Sequence, residues 1–447
     1  MTSLAKERSG RSSSFHVMTM TLGNLIGPMS TLACAPLLAH HLGVEGRGEL
    51  AASTMPLVLL AAALTLGLPE AITHRLGQRP NEGRQALVVS TFVLLAAGLV
   101  AVGVLVLAAP SLAAESGSVA DLIRWSALAA VPTIVLWALR GTAQGLQQWS
   151  TLNAEKAVTG LVRLSAIGGL ALTQRLDLTS AFIVLIVSPI CGYLAYLNML
   201  RRLPTSHQKP EGLRLSRDLT TFGSKVWLGS IAGILLTRLD QVLILPLSDA
   251  EQLGLYAAAV NVGDIPFFMT AAFGSLMLAK ESADSSNERV AFASRALFFI
   301  VLCLTLVVAT TVHLWFGALF GASFSDGADT AVILLLAALV SAPGTIAGTA
   351  LTGRGHAHDR SLAIVAGLIV NVLVIILLVP SLGSIGAGIA TLGGTVVVTS
   401  IVIIQVWIRF GIRPDQMLLI RLEDFRKVSK QFLGRTRSGS KNQNRSN

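Results

Sequence analysis

Arg201-Arg-Leu-Pro-Thr-Ser-His-Gln-Lys-Pro210-Glu-Gly-Leu-Arg-Leu-Ser-Arg217 is the main polar, basic break before residue 410 in a chain of 447 residues. Its prolines and bases make it a loop that hydrocarbon would not accept, and it lies near the midpoint. On either side of it, apolar runs recur with only short polar gaps. Composition agrees: 53% of residues are hydrophobic and 13% are charged, against roughly 25% charged in soluble domains. Mean hydropathy is +0.68. The reading is an all-α polytopic membrane protein.

The runs place about twelve spans, near 16–41, 49–73, 86–110, 120–142, 155–174, 180–200, 219–245, 254–279, 290–319, 329–351, 360–380 and 384–409. Most meet the roughly 20-residue requirement for crossing as helix. Backbone amides in lipid must be satisfied internally, so long apolar runs must be helical. The span at 155–174 carries Glu155, Lys156 and Arg163, so one of its sides must face protein or water. The chain divides into an N-terminal six-helix lobe (1–202), a linker (203–218), a C-terminal six-helix lobe (219–410) and a tail (411–447).

Basic residues set the orientation. Lys6, Arg8, Arg11, Arg75, Arg79, Arg84, Arg140, Lys156, the central loop, Lys280, Arg289, Arg295, Arg354 and Arg360 fall on one side, with ten more bases from Arg409 to Arg445. Arg47 and Arg175 fall on the other, beside Glu45, Glu115, Asp177, Asp249, Glu251, Asp326 and Asp329. The positive-inside rule then puts both termini in the cytoplasm of a cell-membrane protein. It also accounts for the +10 net charge without nucleic acid as a partner. After Phe410, Met417, Leu418, Leu422, Phe425, Val428 and Phe432 recur at helical spacing among bases. This predicts an amphipathic helix on the anionic inner leaflet.

The halves echo one another. Gly48-Glu-Leu-Ala-Ala-Ser53 follows the first span and Gly254-Leu-Tyr-Ala-Ala-Ala259 the seventh. Gly145-Leu-Gln-Gln-Trp-Ser-Thr-Leu152 follows the fourth and Gly355-His-Ala-His-Asp-Arg-Ser-Leu362 the tenth. An even number of spans per half gives both the same orientation, which predicts a parallel repeat about an axis along the membrane normal.

Cys34, Cys191 and Cys303 all lie in apolar segments, and neither a disulfide framework nor a metal site is expected. His356 and His358 lack a third ligand. Outer loops are short, no phosphate-binding glycine loop followed by Lys-Ser or Lys-Thr is present, and no nucleophile–base arrangement stands out. The chain is therefore read as a non-enzyme without a cofactor.

What remains is polar residues at membrane depth. A charge at the bilayer centre costs about 2.5–3.5 kcal/mol on insertion scales, so it needs a partner or water. Arg163 lies in the fifth span, Arg238 and Asp240 in the seventh, and Asp264 in the eighth; Glu70 and Arg124 sit nearer span ends. Arg238 and Asp240 are two apart and point to different helix faces. One reading is a water-filled, partly cationic cavity for an anionic head group, in which arginine makes bidentate contacts to diphosphate. The other is an interhelical ion pair, such as Arg238 with Asp264. Asn24, Asn261 and Asn371 are candidates for hydrogen bonds between helices. Pro28, Pro36, Pro56, Pro132, Pro266 and Pro343 are candidate hinges. Gly383, Gly386, Gly388, Gly393 and Gly394 are expected to allow close packing.

The run Pro36-Leu-Leu-Ala-His-His-Leu-Gly43-Val-Glu-Gly-Arg-Gly48, then Leu66-Gly-Leu-Pro-Glu-Ala71, Arg238-Leu-Asp240 and Gly254-Leu-Tyr256, carries a family resemblance. In order and spacing it resembles the polysaccharide-transport branch of the multidrug/oligosaccharidyl-lipid/polysaccharide (MOP) exporter superfamily, which includes O-antigen flippases. The likeness covers nearly all of residues 15–410. It implies a MATE-like pair of lobes around a central cavity, working by alternating access on a polyprenyl-diphosphate-linked oligosaccharide. Membrane lipids and polysaccharide-assembly proteins are the implied partners. Substrate-binding candidates are then Arg163, Arg238, Arg124 and Asn24, and ion-coupling candidates are Asp240 and Asp264. Lipid II flippases resemble this fold but carry cations in their first helices, where this chain has Asn24 and no arginine. A cation-coupled drug antiporter of the same superfamily and a non-transporting scaffold for polysaccharide assembly are the alternatives.

Overall fold

The computed structural model describes residues 2–114, 116–204 and 212–419, with side chains from residue 26 onward except at a few helical positions. Within these residues all regular structure is helical. Helix α1 (Thr2–Ala63) takes the first expected span and most of the second, which α2 (Leu68–Gln78) completes. Helix α3 (Gly83–Leu112) is the third; α4 (Gly117–Ser126) and α5 (Ala130–Gly145) form the fourth. Helix α6 (Trp149–Leu172) is the fifth, and α7 (Leu178–Cys191) with α8 (Leu197–Arg201) is the sixth. Then α9 (Gly212–Arg238) and α10 (Asp240–Leu247) cover the seventh, α11 (Ala250–Ala283) the eighth, α12 (Asn287–Phe320) the ninth and α13 (Gly327–Gly353) the tenth. Helix α14 (Ala357–Phe410) holds the last two, and α15 (Pro414–Leu418) follows.

Among the described residues, seven helices are long and apolar enough to cross a membrane, or nine if two bent pairs each count as one span. Those pairs are Met29–Ala63 with Leu68–Gln78, bent by 44°, and Leu215–Ser224 with Val226–Arg238, bent by 49°. The expected twelve are not reached on length and composition. Helices α1 and α14 each contain two helices joined at a kink, and the charged α6 is not among the seven.

Both kinks fall on glycine. Gly43 has φ 70° and Gly383 has φ 52°, in the left-handed region that a Cβ disfavours. At Gly383 the Gln252 side chain fills the space a Cβ would need. Its Oε1 accepts from the Ser384 N–H at 3.0 Å, which caps the freed amide. Gly383 thus breaks a helix, beyond the packing role expected of it. Pro266 and Pro343 lie inside continuous helices. At the start of α7, Asp177 forms a capping box with Ser180; hydrogen bonds from Ser180 hold its carboxyl below the ordinary range.

Helix α13 packs along α11, α12 and α14; α1 packs along α6 and α11; α5 packs on α2 and α3. The tightest approach joins α1 to α11. A Cβ on Gly48 would overlap the Ala250 carbonyl, and one on Gly254 would overlap the Val44 carbonyl. These glycines head the two similar motifs, so the motifs meet face to face. Gly67 (φ 68°) and Gly223 make a second backbone contact of this kind between the halves.

Charged residues within the bundle are tied off in pairs. Glu155, 1% exposed, accepts from Arg140 twice, at 2.8 and 3.1 Å, joining α5 to α6. This removes the main difficulty of the fifth span. Glu281 is wholly buried and takes Arg289 at 3.0 Å and Arg354 at 2.8 Å, linking α11, α12 and α13. Beyond α14, Met417 is buried and its carbonyl accepts from Ser294 at 3.0 Å. Met417 therefore packs on α12 and does not lie on the leaflet. The remainder of the expected amphipathic tail, from residue 420, lies outside the described residues.

The glycine contacts and the Glu155 pair each set an outcome for stability. Gly48→Leu should destabilise the purified chain by about 1–3 kcal/mol or more through overpacking, seen as a lower thermal midpoint. Gly168→Ala, with nothing within 4 Å of its added Cβ, should leave the midpoint unchanged or higher. Glu155→Leu alone should cost about 3–5 kcal/mol by stranding Arg140, while Arg140→Met with Glu155→Leu should recover most of the folded yield in detergent.

Candidate functional site

Removing the paired charges leaves a chamber. It has a volume of about 450 Å³ and lies among α9, α10, α11, α13 and α14. Arg238 and Asp264 line it, together with Thr237, Thr345, Thr391 and Arg360. The surrounding wall is apolar, from Val260, Phe267, Phe268, Leu334 and Val402. A concave apolar space with a few convergent polar groups is the usual form of a ligand site.

Arg238 ends α9, where the chain turns into α10. Its Nη2 donates to Asp264 Oδ2 at 3.0 Å, and the two side chains stay 35% and 27% exposed. The pair therefore bridges helices, as one reading expected, and also faces the chamber. A pair left this open has donors available for an incoming anion.

Asp240 behaves differently. It is 2% exposed and accepts from the Tyr256 hydroxyl, from Thr391 at 3.2 Å and from the Gln241 N–H at 2.7 Å. These donors join α10, α11 and α14 and saturate the carboxylate, so of the two aspartates Asp264 is the accessible one.

The other candidates lie elsewhere. Arg163 on α6 donates to Thr31 of α1 at 2.7 Å. Its Nε is buried with no hydrogen-bond partner among the described residues. Arg163 does not line the chamber. Arg124 pairs with Asp121 one turn away on α4 at 2.7 Å, both exposed, and is also outside the chamber. Glu70 is exposed and accepts from Ser230 of α9 at 3.4 Å. The Asn24 side chain lies outside the described residues. Asn261 bonds within its own helix, to the Ala257 carbonyl at 2.7 Å, and not between helices. Asn371 is fully buried without a partner among the described residues. No group of three His, Cys, Asp or Glu is placed to hold a metal among them.

Arg360 was legible only as a topological base. The structure turns it into the chamber wall, its stem crossing α13 where a Cβ on Gly348 would lie 3.1 Å from Nε. The available signal was a glycine at 348 facing an arginine in the first turn of the next helix, which only the helix pairing reveals.

The fold matches solved transporters over most of the chain. An inward-facing multidrug resistance MATE family transporter of the MOP superfamily aligns with TM-score 0.70 at 16% identity, covering 88% of this chain and 98% of that one. Lipid II flippase MurJ in an inward closed conformation aligns with TM-score 0.72 at 12% identity, covering 92% and 90%. An outward-facing MATE family transporter aligns with TM-score 0.61 at 17% identity, covering 88% and 94%. At these identities the likeness is one of fold. No curated protein matches the chain significantly. The family model for polysaccharide biosynthesis proteins matches residues 16–279, more than half of the sequence. The chain is therefore a multi-pass membrane protein belonging to the polysaccharide biosynthesis protein family.

Proposed function

We propose that this protein moves a polyprenyl-diphosphate-linked oligosaccharide across the cytoplasmic membrane by alternating access, with both termini in the cytoplasm. The observation that carries the reading is the chamber: an apolar space within the helical bundle into which Arg238 opens, ringed by hydroxyls. Arginine and threonine are donors suited to phosphate and sugar oxygens, and the apolar wall suits a lipid-borne ligand. Family membership and the fold shared with a lipid II flippase support the same class.

In this reading the lobes are residues 1–202 and 219–410, joined by the linker 203–218, and they rock about a central space. Arg238 holds the diphosphate from the C-terminal lobe; Arg163, outside the chamber in this conformation, meets it from the N-terminal lobe in another state of the cycle. Arg163 suits the task because it has no carboxylate partner among the described residues. The Gly48–Gly254 contact closes the bundle at the end poor in bases, which the charge pattern assigns to the outside. The basic residues after Arg409 contact the inner leaflet.

Asp264 is the better coupling residue, since it is exposed to the chamber and Asp240 is saturated. An exposed carboxylate in a chamber also suits a cation-coupled drug antiporter. Cation efflux from loaded vesicles separates that reading from the flippase.

Arg163→Ala together with Arg238→Ala should reduce cell-surface glycan by about tenfold or more at normal protein levels, the loss of at least one charge-assisted contact. Intact surface glycan in that strain would remove the cationic site. Asp264→Asn should abolish the dependence of transport on an imposed proton or Na⁺ gradient in proteoliposomes; an unchanged gradient dependence excludes Asp264 from coupling.

A further inference from the structure

A second cavity of about 460 Å³ lies between α9 and α14. Gly229, Ser230, Gly233, Thr352, Arg360 and Ile364 are among its walls. Arg360 and Ile364 also line the chamber, so the two spaces share one partition. Arg360 is the one charged residue lining this groove among the described residues.

Two features open the groove at its rim, and a third narrows it. Val226 and Ala357 at its rim are exposed. Gly233 faces open space, with nothing within 4 Å of an added Cβ. One turn away the helices touch, because a Cβ on Gly229 would collide with the Ser361 hydroxyl. The groove is therefore narrow enough for α9 and α14 to close.

Arg360 is also unlike the other bases at this end. Arg354 is tied to Glu281 at 2.8 Å and Arg409 to Asp359 at 3.1 Å. Arg360 has a single long hydrogen bond, to Thr352 Oγ1 at 3.4 Å, and no carboxylate among the described residues. A partly buried guanidinium with spare donors stabilises an anion placed beside it.

We propose that a phosphate-bearing head group reaches the chamber along the groove between α9 and α14, meeting Arg360 first and Arg238 next. This rests on the flippase reading for its direction and its lipid-borne source. The chemistry recognised is diphosphate, with Thr352, Ser230 and Ser361 as the neutral polar residues along the way.

The test uses the full chain in lipid nanodiscs, with inorganic diphosphate as the probe in calorimetry. Arg360→Gln should weaken diphosphate binding by about tenfold or more, and Arg360→Lys by less. Polyprenyl diphosphate added to the disc should displace the free anion. Unaltered diphosphate affinity in Arg360→Gln overturns the proposal. So does free diphosphate that polyprenyl diphosphate fails to displace, because that leaves a free-anion site only.

A second variant tests the route. Gly229→Cys with Ser361→Cys places two Cβ atoms about 3.1 Å apart by the present geometry, close to disulfide range. In a background with the three native cysteines replaced, oxidation should abolish diphosphate uptake into the chamber and reductant should restore it. Equal binding rates in the oxidised and reduced forms overturn the route. Arg360-dependent diphosphate binding in a chain that leaves the lipid-linked glycan on its starting leaflet supports the passage while removing the flippase reading.

Discussion

An ionised side chain inside a bilayer must be neutralised or hydrated, and this one requirement sorts the charged residues of the bundle. Glu155 with Arg140, and Glu281 with Arg289 and Arg354, are matched carboxylate–guanidinium sets at close range. They are buried and tie neighbouring helices together. Asp240 is held instead by hydrogen bonds from neutral donors, two hydroxyls and a backbone amide on three helices. Arg238, Asp264, Arg360 and Arg163 are left incompletely matched. Three of these four converge on one chamber. The proposed site lies where electrostatic satisfaction is incomplete.

The second constraint is steric. Two helical hairpins need sharp reversals, and both long helices place them at glycines with positive φ. The halves meet through glycines as well, Gly48 with Gly254 and Gly67 with Gly223, so that backbone lies directly on backbone. A contact built from backbone carries few side-chain interlocks. In the flippase reading such a contact can part and re-form with little repacking, which a rocking pair of lobes requires.

In the flippase reading, Arg238 and Arg360 take separate roles within one wall. Arg238 is partly committed to Asp264, whereas Arg360 is free of any carboxylate among the described residues. A graded pair, one open cation at the partition and one tempered cation within, favours capture without trapping. A ligand held too tightly at the inner position would not leave.

Much of the fold was legible beforehand because hydrocarbon imposes it. Apolar runs of sufficient length must be helical, and the expected spans all fall on helix or helix with a short turn. The similar glycine motifs were visible as sequence, and so were the charges at depth. The residues' types and approximate depth follow from one dimension, since insertion energy depends on composition along the chain. What each charge touches depends on which helix faces which, and no local pattern encodes that. Only the tertiary structure separated hydrogen-bonded Asp240 from open Asp264, placed Arg163 and Arg124 away from the chamber, and brought Arg360 across Gly348 to complete its wall, because pairing between helices is decided by side-chain fit between separate helices and not by local pattern.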